Sequence, residues 1–340
     1  MGVEATAMRT SSIPLWGGPP GPQPTPSSAR WNWLRVALQK SGSRGTRADL
    51  GVCPTSCAQV GNLLHVLMIF GTISLSLAYG DQQAKETIRQ TLPAAAHLEV
   101  HNVQGYIHVS GYNGSEIQMV AEKTIEAEST ERLEAAKQEV KLDVSRAGDT
   151  LTLFVDGPFR CHCEDNRSGI HEHGHRGYRV TFDFEIKVPT ATFLRLGTVN
   201  NGDIRVENTT GDFDIGNVNR GIEMTEVSGS GLVHSVNGPI KVLFSKNPSG
   251  ACSFRTVNGS IDTSFRGNLN ADVRVKTFNG QAYTDYDVTA LPRVISAGER
   301  RDGKFVYHSD DYNGMRIGSG GPELKYDTLN GSIRIINRGK

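Results

Sequence analysis

The sequence predicts an all-β fold of stacked β-coils, solenoid-like or β-helix-like, with one short helix. Three observations predict it: a repeated phrase, a fixed spacing between its glycines, and long stretches of two-residue alternation. The alternative reading of the same letters is a β-sandwich whose hairpins share Asn-Gly turns.

The phrase is clearest at Cys252–Ile261 (CSFRTVNGSI), Val273–Ala282 (VRVKTFNGQA) and Leu324–Ile333 (LKYDTLNGSI). Its template is apolar-x-apolar-x-Thr-apolar-Asn-Gly-x-apolar. Alternation puts Cys252, Phe254 and Thr256 on one face of a strand and Ser253 and Arg255 on the other. Asn258-Gly259 then turns the chain, since glycine takes positive φ without steric cost and asparagine tolerates it. Beyond the turn the alternation resumes as Ile261, Thr263 and Phe265. Each phrase is therefore strand, corner, strand.

Spacing argues against plain hairpins. Gly238, Gly259 and Gly280 are separated by 21 residues each, about one coil of a stacked β architecture, and Gly202, Gly211, Gly221 and Gly231 fall 9, 10 and 10 apart. Weaker copies begin at Leu194, with one extra Asn before Gly202, and at Leu98. A single coil buries too little to stand alone. Stacking joins the coils into one apolar interior, at roughly 25 cal/mol per Å² of apolar area removed from water, and corner asparagines can hydrogen-bond from coil to coil.

In chain order, residues 1–60 are rich in Pro, Gly, Ser and basic residues and hold no apolar period, which reads as a disordered leader or an over-extended N-terminus. Residues 61–80 read as a signal peptide: Leu63–Leu77 is almost uncharged, short for a membrane span, and followed by Ala78-Tyr79-Gly80, with cleavage expected after Gly80. Residues 81–340 form the β-repeat domain. Within it Ser129 is the expected N-cap of a helix carrying Leu133, Ala136 and Val140 at helical spacing. Leu142–Ser145 and Leu151–Val155 read as a strand pair turning at Gly148-Asp149. Tyr178 to Val188 is the longest clean alternation, ended by Pro189. Residues 287–322 read as an insertion, because 51 residues separate Gly280 from Gly331 where 21 are expected.

Composition excludes some functions. With 36 Lys+Arg against 36 Asp+Glu among 340 residues, no basic field points to nucleic acid. One cluster could carry metal chemistry: Cys161, Cys163, His171, His173 and His175, in a glycine-containing connection between strands. Thiolate and imidazole together suit zinc or copper, although Cys-x-Cys is tighter than the usual structural zinc spacing, and in an exported chain both thiols can be oxidised instead. His171-Glu172-x-x-His175 also matches a zinc-protease pattern, but Gly169, Gly174 and Gly177 deny it the helix that would align its ligands. Cys252 reads as a buried structural thiol. Asp203, Asp212 and Asp214 lack the nonapeptide calcium pattern.

At Thr256–Ile261, with its relatives at Thr277 and Thr328 and the ending Gly320–Ile335, the chain resembles a bacterial family: the exported β-strand-repeat, adhesin-like domain of unknown function. The likeness covers Leu98 to Asn337. It implies a stacked β-fold, an exported location in the periplasm or at the cell surface, and no catalytic residue to transfer. The expected function is thus a non-enzymatic structural or binding module at the bacterial cell envelope, with no cofactor, whose ligand is a polysaccharide or protein. Membrane contact is expected only through an uncleaved N-terminal segment. The alternatives are an envelope metal-binding protein using the Cys/His loop, and a polysaccharide-acting β-helix enzyme.

Overall fold

The structure is a computed structural model describing residues 74–75, 82–163, 167–170, 176–292, 299–301, 304–306 and 312–339. Strands β1 (Ser74–Leu75) and β2 (Gln82–Pro93) come first, then β3 (His97–His101), β4 (Ile107–Tyr112) and β5 (Glu116–Ala127). Helix α1 (Thr130–Glu139) follows, then β6 (Lys141–Ala147), β7 (Thr150–Asp156), β8 (Arg160–Cys163), β9 (Arg167–Ile170) and β10 (Tyr178–Pro189). The phrases are next: β11 (Phe193–Thr198) with β12 (Ile204–Glu207), β13 (Phe213–Asn217) with β14 (Ile222–Val227), and β15 (Gly231–His234) with β16 (Ile240–Phe244). They continue as β17 (Cys252–Asn258) with β18 (Ile261–Phe265), and β19 (Ala271–Asn279) with β20 (Ala282–Thr284). Strands β21 (Val288–Leu291), β22 (Glu299–Arg301), β23 (Lys304–Val306) and β24 (Asn313–Ile317) precede the last phrase, β25 (Glu323–Asn330) with β26 (Ile333–Asn337).

The described chain is thus nearly all β, with one helix and two large sheets. The first sheet runs β1-β2-β5-β10-β4-β12-β14-β16-β18-β26-β20, and the second β21-β24-β19-β25-β17-β15-β13-β11-β3-β7-β6. Every phrase gives its strand before the corner to the second sheet and its strand after the corner to the first. Equivalent strands pair in parallel, 17 to 21 residues apart from β11 to β18, as in Leu194↔Phe213, Ile204↔Ile222 and Ile240↔Ile261. Core-facing residues of both sheets, among them Leu98, Ile107, Phe254 and Ile333, belong to one hydrophobic cluster.

The corner glycines are needed for a reason other than the expected one. In the first corner Gly105 does adopt positive φ, at 109°, but Gly202, Gly238, Gly259, Gly280 and Gly331 do not; in the second corner that role falls to the extra Asn201, at φ 61°. They are glycines because the layers touch there. A Cβ on Gly259 would lie 2.2 Å from the Gly238 carbonyl oxygen, and one on Gly331 would lie 1.9 Å from that of Gly259. The template's threonine uses the same contact. Thr256 Oγ1 donates to the Gly238 carbonyl, Thr328 to Gly259 and Thr277 to Gly331, each at 3.0 Å.

Corner asparagines form a one-way ladder. Asn219 Nδ2 donates to Asn200 Oδ1 at 2.5 Å, Asn237 to Asn219 at 3.0 Å, and Asn258 to Asn237 at 2.7 Å. Asn330 then donates to Asn258, and Asn279 to Asn330, each at 2.7 Å. The last phrase therefore lies between two phrases that are consecutive in sequence, and β19–β20 becomes the end layer. Packing supplies the reason. The Tyr326 ring of β25 stacks on Phe254 with centroids 5.1 Å apart, and its hydroxyl lies 2.9 Å from Thr263 Oγ1. Val275 occupies that core row in β19 and offers neither contact. The insertion is also used: β24 pairs antiparallel with β19, and β21 with β24.

The far end of the body holds the helix. Ser129 Oγ accepts from the Arg132 amide at 3.2 Å, Leu133 and Ala136 are buried, and the buried Lys123 Nζ donates to the Val140 carbonyl at 2.6 Å at the helix C-terminus. Burial holds that lysine's pKa below its ordinary value. β6 and β7 form the expected pair around Gly148, at φ 59°. Apart from Ser74–Leu75, which pairs with β2, residues 1–80 lie outside the described residues. Among the described residues no helix is long and apolar enough to cross a membrane.

Candidate interaction surface

Alternation puts the residue after the template's threonine on the outer face, where it forms a row along the stack. Val218 and Val236 are buried in that row and Val257 is half-buried, whereas Leu329 is 45% and Phe278 79% exposed. Phe278 stands opposite Leu329, since Thr277 pairs with Thr328 and Asn279 with Asn330. Around the corner, Tyr283 of β20 and Ile336 of β26 are also exposed, as is Val288 of β21. These are the five large apolar side chains exposed among the described residues, and all belong to the last two phrases or the strand that follows. An exposed apolar cluster of this kind is a candidate contact surface.

The surface is held in place. Tyr286, just after β20, donates its hydroxyl to the Gly267 carbonyl at 3.1 Å, and burial pushes its pKa up to about 12. Asp285 Oδ1 accepts from the Asn337 amide at 2.7 Å and so ties the exit of β20 to the end of β26. Tyr283, Thr284, Asp285, Arg334, Ile335 and Ile336 line a depression of about 250 Å³. Outer-face charges along the first sheet mostly alternate in sign: Arg205 lies 3.9 Å from Glu223, and Arg334 3.5 Å from Asp262. That row becomes uncharged at Tyr283, opposite Arg334.

This arrangement offers ring faces, apolar area and, among the described residues, unpaired main chain at the edge of β20. It can bind. Among the described residues no three of His, Cys, Asp and Glu converge as metal ligands. A second depression of about 490 Å³, at Tyr112–Ser115 and Pro189–Ala191, contains no carboxylate, and the first contains only Asp285. Neither is the cleft of acidic and aromatic residues that a polysaccharide-cleaving enzyme needs.

Of the residues expected to bind metal, Cys161 and Cys163 lie on β8, with side chains outside the described residues; His171, His173 and His175 lie outside them altogether. Cys252 is buried as expected, which pushes its thiol up to about 11. Asp203 and Asp212 join layers, accepting from the amides of Gly221 at 3.2 Å and Ser230 at 2.8 Å, and Asp214 faces Arg195 at 3.4 Å. Sequence reasoning missed Phe278 and Leu329. The signal was there, since alternation already placed both apolar side chains on an outer face.

No family model matches the chain, and no curated protein matches it. Among solved structures it is similar to a candidate cell adhesion protein from Clostridium sporogenes, with 8% identity, coverage of 74% of this chain and 100% of that one, and a TM-score of 0.36. It is also similar to a candidate adhesin from Bacteroides fragilis, with 12% identity, coverage of 74% and 96%, and a TM-score of 0.32. A candidate lipid-binding protein from Parabacteroides distasonis has 9% identity, coverage of 73% and 96%, and a TM-score of 0.23. Likeness at these scores carries no argument about function.

Proposed function

We propose that the protein is a non-enzymatic binding module of the adhesin-like kind, exported to the bacterial envelope. Its stacked β-coils, flattened into two sheets, serve as the scaffold, and its ligand is held at the end of the stack. The observation that carries this reading is the confinement of the exposed large apolar side chains to one end, beside a bare strand edge. A soluble body has no reason to gather Phe278, Leu329, Tyr283 and Ile336 there unless something covers them.

The test compares retention of the full chain on a washed bacterial envelope fraction with that of a Phe278→Ser, Tyr283→Ser double variant. Retention lost in the variant supports the reading. Equal retention of both, or turnover of polysaccharide or peptide substrates by the purified chain, overturns it.

A further inference from the structure

The two sheets end out of step. Seven layers are matched across the body, from β3 and β4 to β19 and β20. The second sheet then continues with β24 and β21, but the first sheet stops at β20. Two strand positions, roughly 10 Å at 4.8 Å per strand, thus have no counterpart in the first sheet.

Burial shows the missing layer. Ala282 pairs with Ile333, which is fully buried, and shares its core-side row; Val288 and Ala290 pair with Ile317 and Met315, which continue the core-side row of Ala271 and Val273. Yet Ala282, Val288 and Ala290 are exposed. They are core-side residues without an opposing layer among the described residues.

The hydrogen-bond pattern says what fits. Gln281 carbonyl accepts from the Ile333 amide at 2.9 Å, so alternation turns the main-chain groups of Ala282 and Thr284 outward along the bare edge. Both corner ladders also end on acceptors. Asn279 donates its amide inward to Asn330, and Thr277 its hydroxyl to Gly331, which leaves Asn279 Oδ1 and the Gly280 carbonyl with no donor among the described residues. In the three preceding layers such oxygens receive an asparagine amide and a threonine hydroxyl. The complementary partial charges are those donors, on a strand whose corner lies against Gly280 and which needs no side chain at its own glycine.

We infer that the open end binds an extended polypeptide strand that carries the chain's own corner phrase, Thr-x-Asn-Gly followed by alternating apolar residues, laid parallel to β20. The inference rests on the binding-module reading and names its ligand class. A single strand laid beside β20 would extend the first sheet where β24 and β21 extend the second. An intact second copy brought edge to edge meets the hairpin of β21 and β24, which projects beyond the first sheet.

The test uses a fluorescent peptide of the sequence Thr256–Phe265, which begins beyond the Val275–Asn313 pair of β19 and β24, with the full chain, read by anisotropy. A control peptide carries Thr256→Ala and Asn258→Ala. Saturable binding is expected, weakened about tenfold or more in the control by the loss of two hydrogen bonds. Ala282→Pro removes an outward amide but keeps the bond from Ile333 to Gln281, and abolishes binding. Should that variant prove misfolded by circular dichroism, Phe278→Ser, which alters no strand pairing, takes its place and weakens binding.

Equal affinity for both peptides, or no binding of either, overturns the inference. The envelope-retention experiment separates the two readings: retention lost in the Phe278→Ser, Tyr283→Ser variant without peptide binding leaves the module reading standing and removes the phrase as ligand. Peptide binding with unchanged retention does the reverse. Dimerisation of the chain alone, abolished by Ala282→Pro, assigns the edge to a second copy and overturns the proposal.

Discussion

Asn330 donates its side-chain amide to Asn258 across 2.7 Å of space and 72 residues of sequence. This bond fixes where the last phrase goes. It also makes the asparagine ladder a continuous line of side-chain bonds from Asn200 to Asn279, bridging five gaps between layers.

Asn258 takes part in two of those bonds, and Asn279 in one. Asn258→Ala is expected to cost about 1–2 kcal/mol and Asn279→Ala less than about 1 kcal/mol. Urea denaturation of the full chain checks the order; equal losses would mean the ladder is ornamental.

Two glycine substitutions separate the two reasons for glycine. Gly259→Ala puts a methyl group 2.2 Å from a backbone oxygen, and forces the layers apart at a cost of about 3–4 kcal/mol. Gly267, at φ +60° with nothing within 4 Å of a Cβ, suffers only backbone strain as Gly267→Ala, about 1 kcal/mol. Thermal melts of both variants decide whether contact or φ dominates at the corners.

His234 is buried on β15, and desolvation with the nearby Arg255 charge pushes its pKa down to about 4 from 6.5. The unfolded chain therefore binds a proton that the folded chain refuses between those two values. Its contribution is fully present above pH 6.5 and is lost as pH falls towards 4, on the order of 3 kcal/mol. Denaturant midpoints at pH 7 and pH 4.5 are expected to differ more for the natural chain than for His234→Gln.

Tyr326→Phe removes the hydroxyl that meets Thr263 but keeps the ring on Phe254. The expected loss is about 1 kcal/mol, because one buried hydrogen bond goes and the stacking remains. Tyr326→Ala also deletes the ring, with an expected loss of about 4 kcal/mol by calorimetry.

Much of this was legible in the letters. The alternation of Cys252, Phe254 and Thr256, the Ser129 cap, the pair around Gly148 and the long strand to Val188 each follow from local chemistry. The order of the final layers was not. Phrases starting at Cys252, Val273 and Leu324 obey one template, so spacing favours Gly280 on Gly259; only three-dimensional packing of Tyr326 against Phe254 and Thr263 places Gly331 between them. The outer-face position of Phe278 was legible too, but its exposure was not, since that depends on which phrase comes last. The Cys/His loop falls largely outside the described residues, and Cys161 and Cys163 are placed only by their backbone.

Placing β25 and β26 inside the stack makes the order of assembly differ from the order of the chain. A chain emerging from the ribosome presents β19 and β20 before β25 and β26 exist, so during elongation the edge of β17 and β18 has only the wrong phrase to meet. Native order waits for β25 and β26, Glu323 to Asn337. A chain cut short before β25 lacks the layer that holds Phe254 and Thr263 covered, and protease sensitivity of β19 and β20 becomes a gauge of whether that layer has docked.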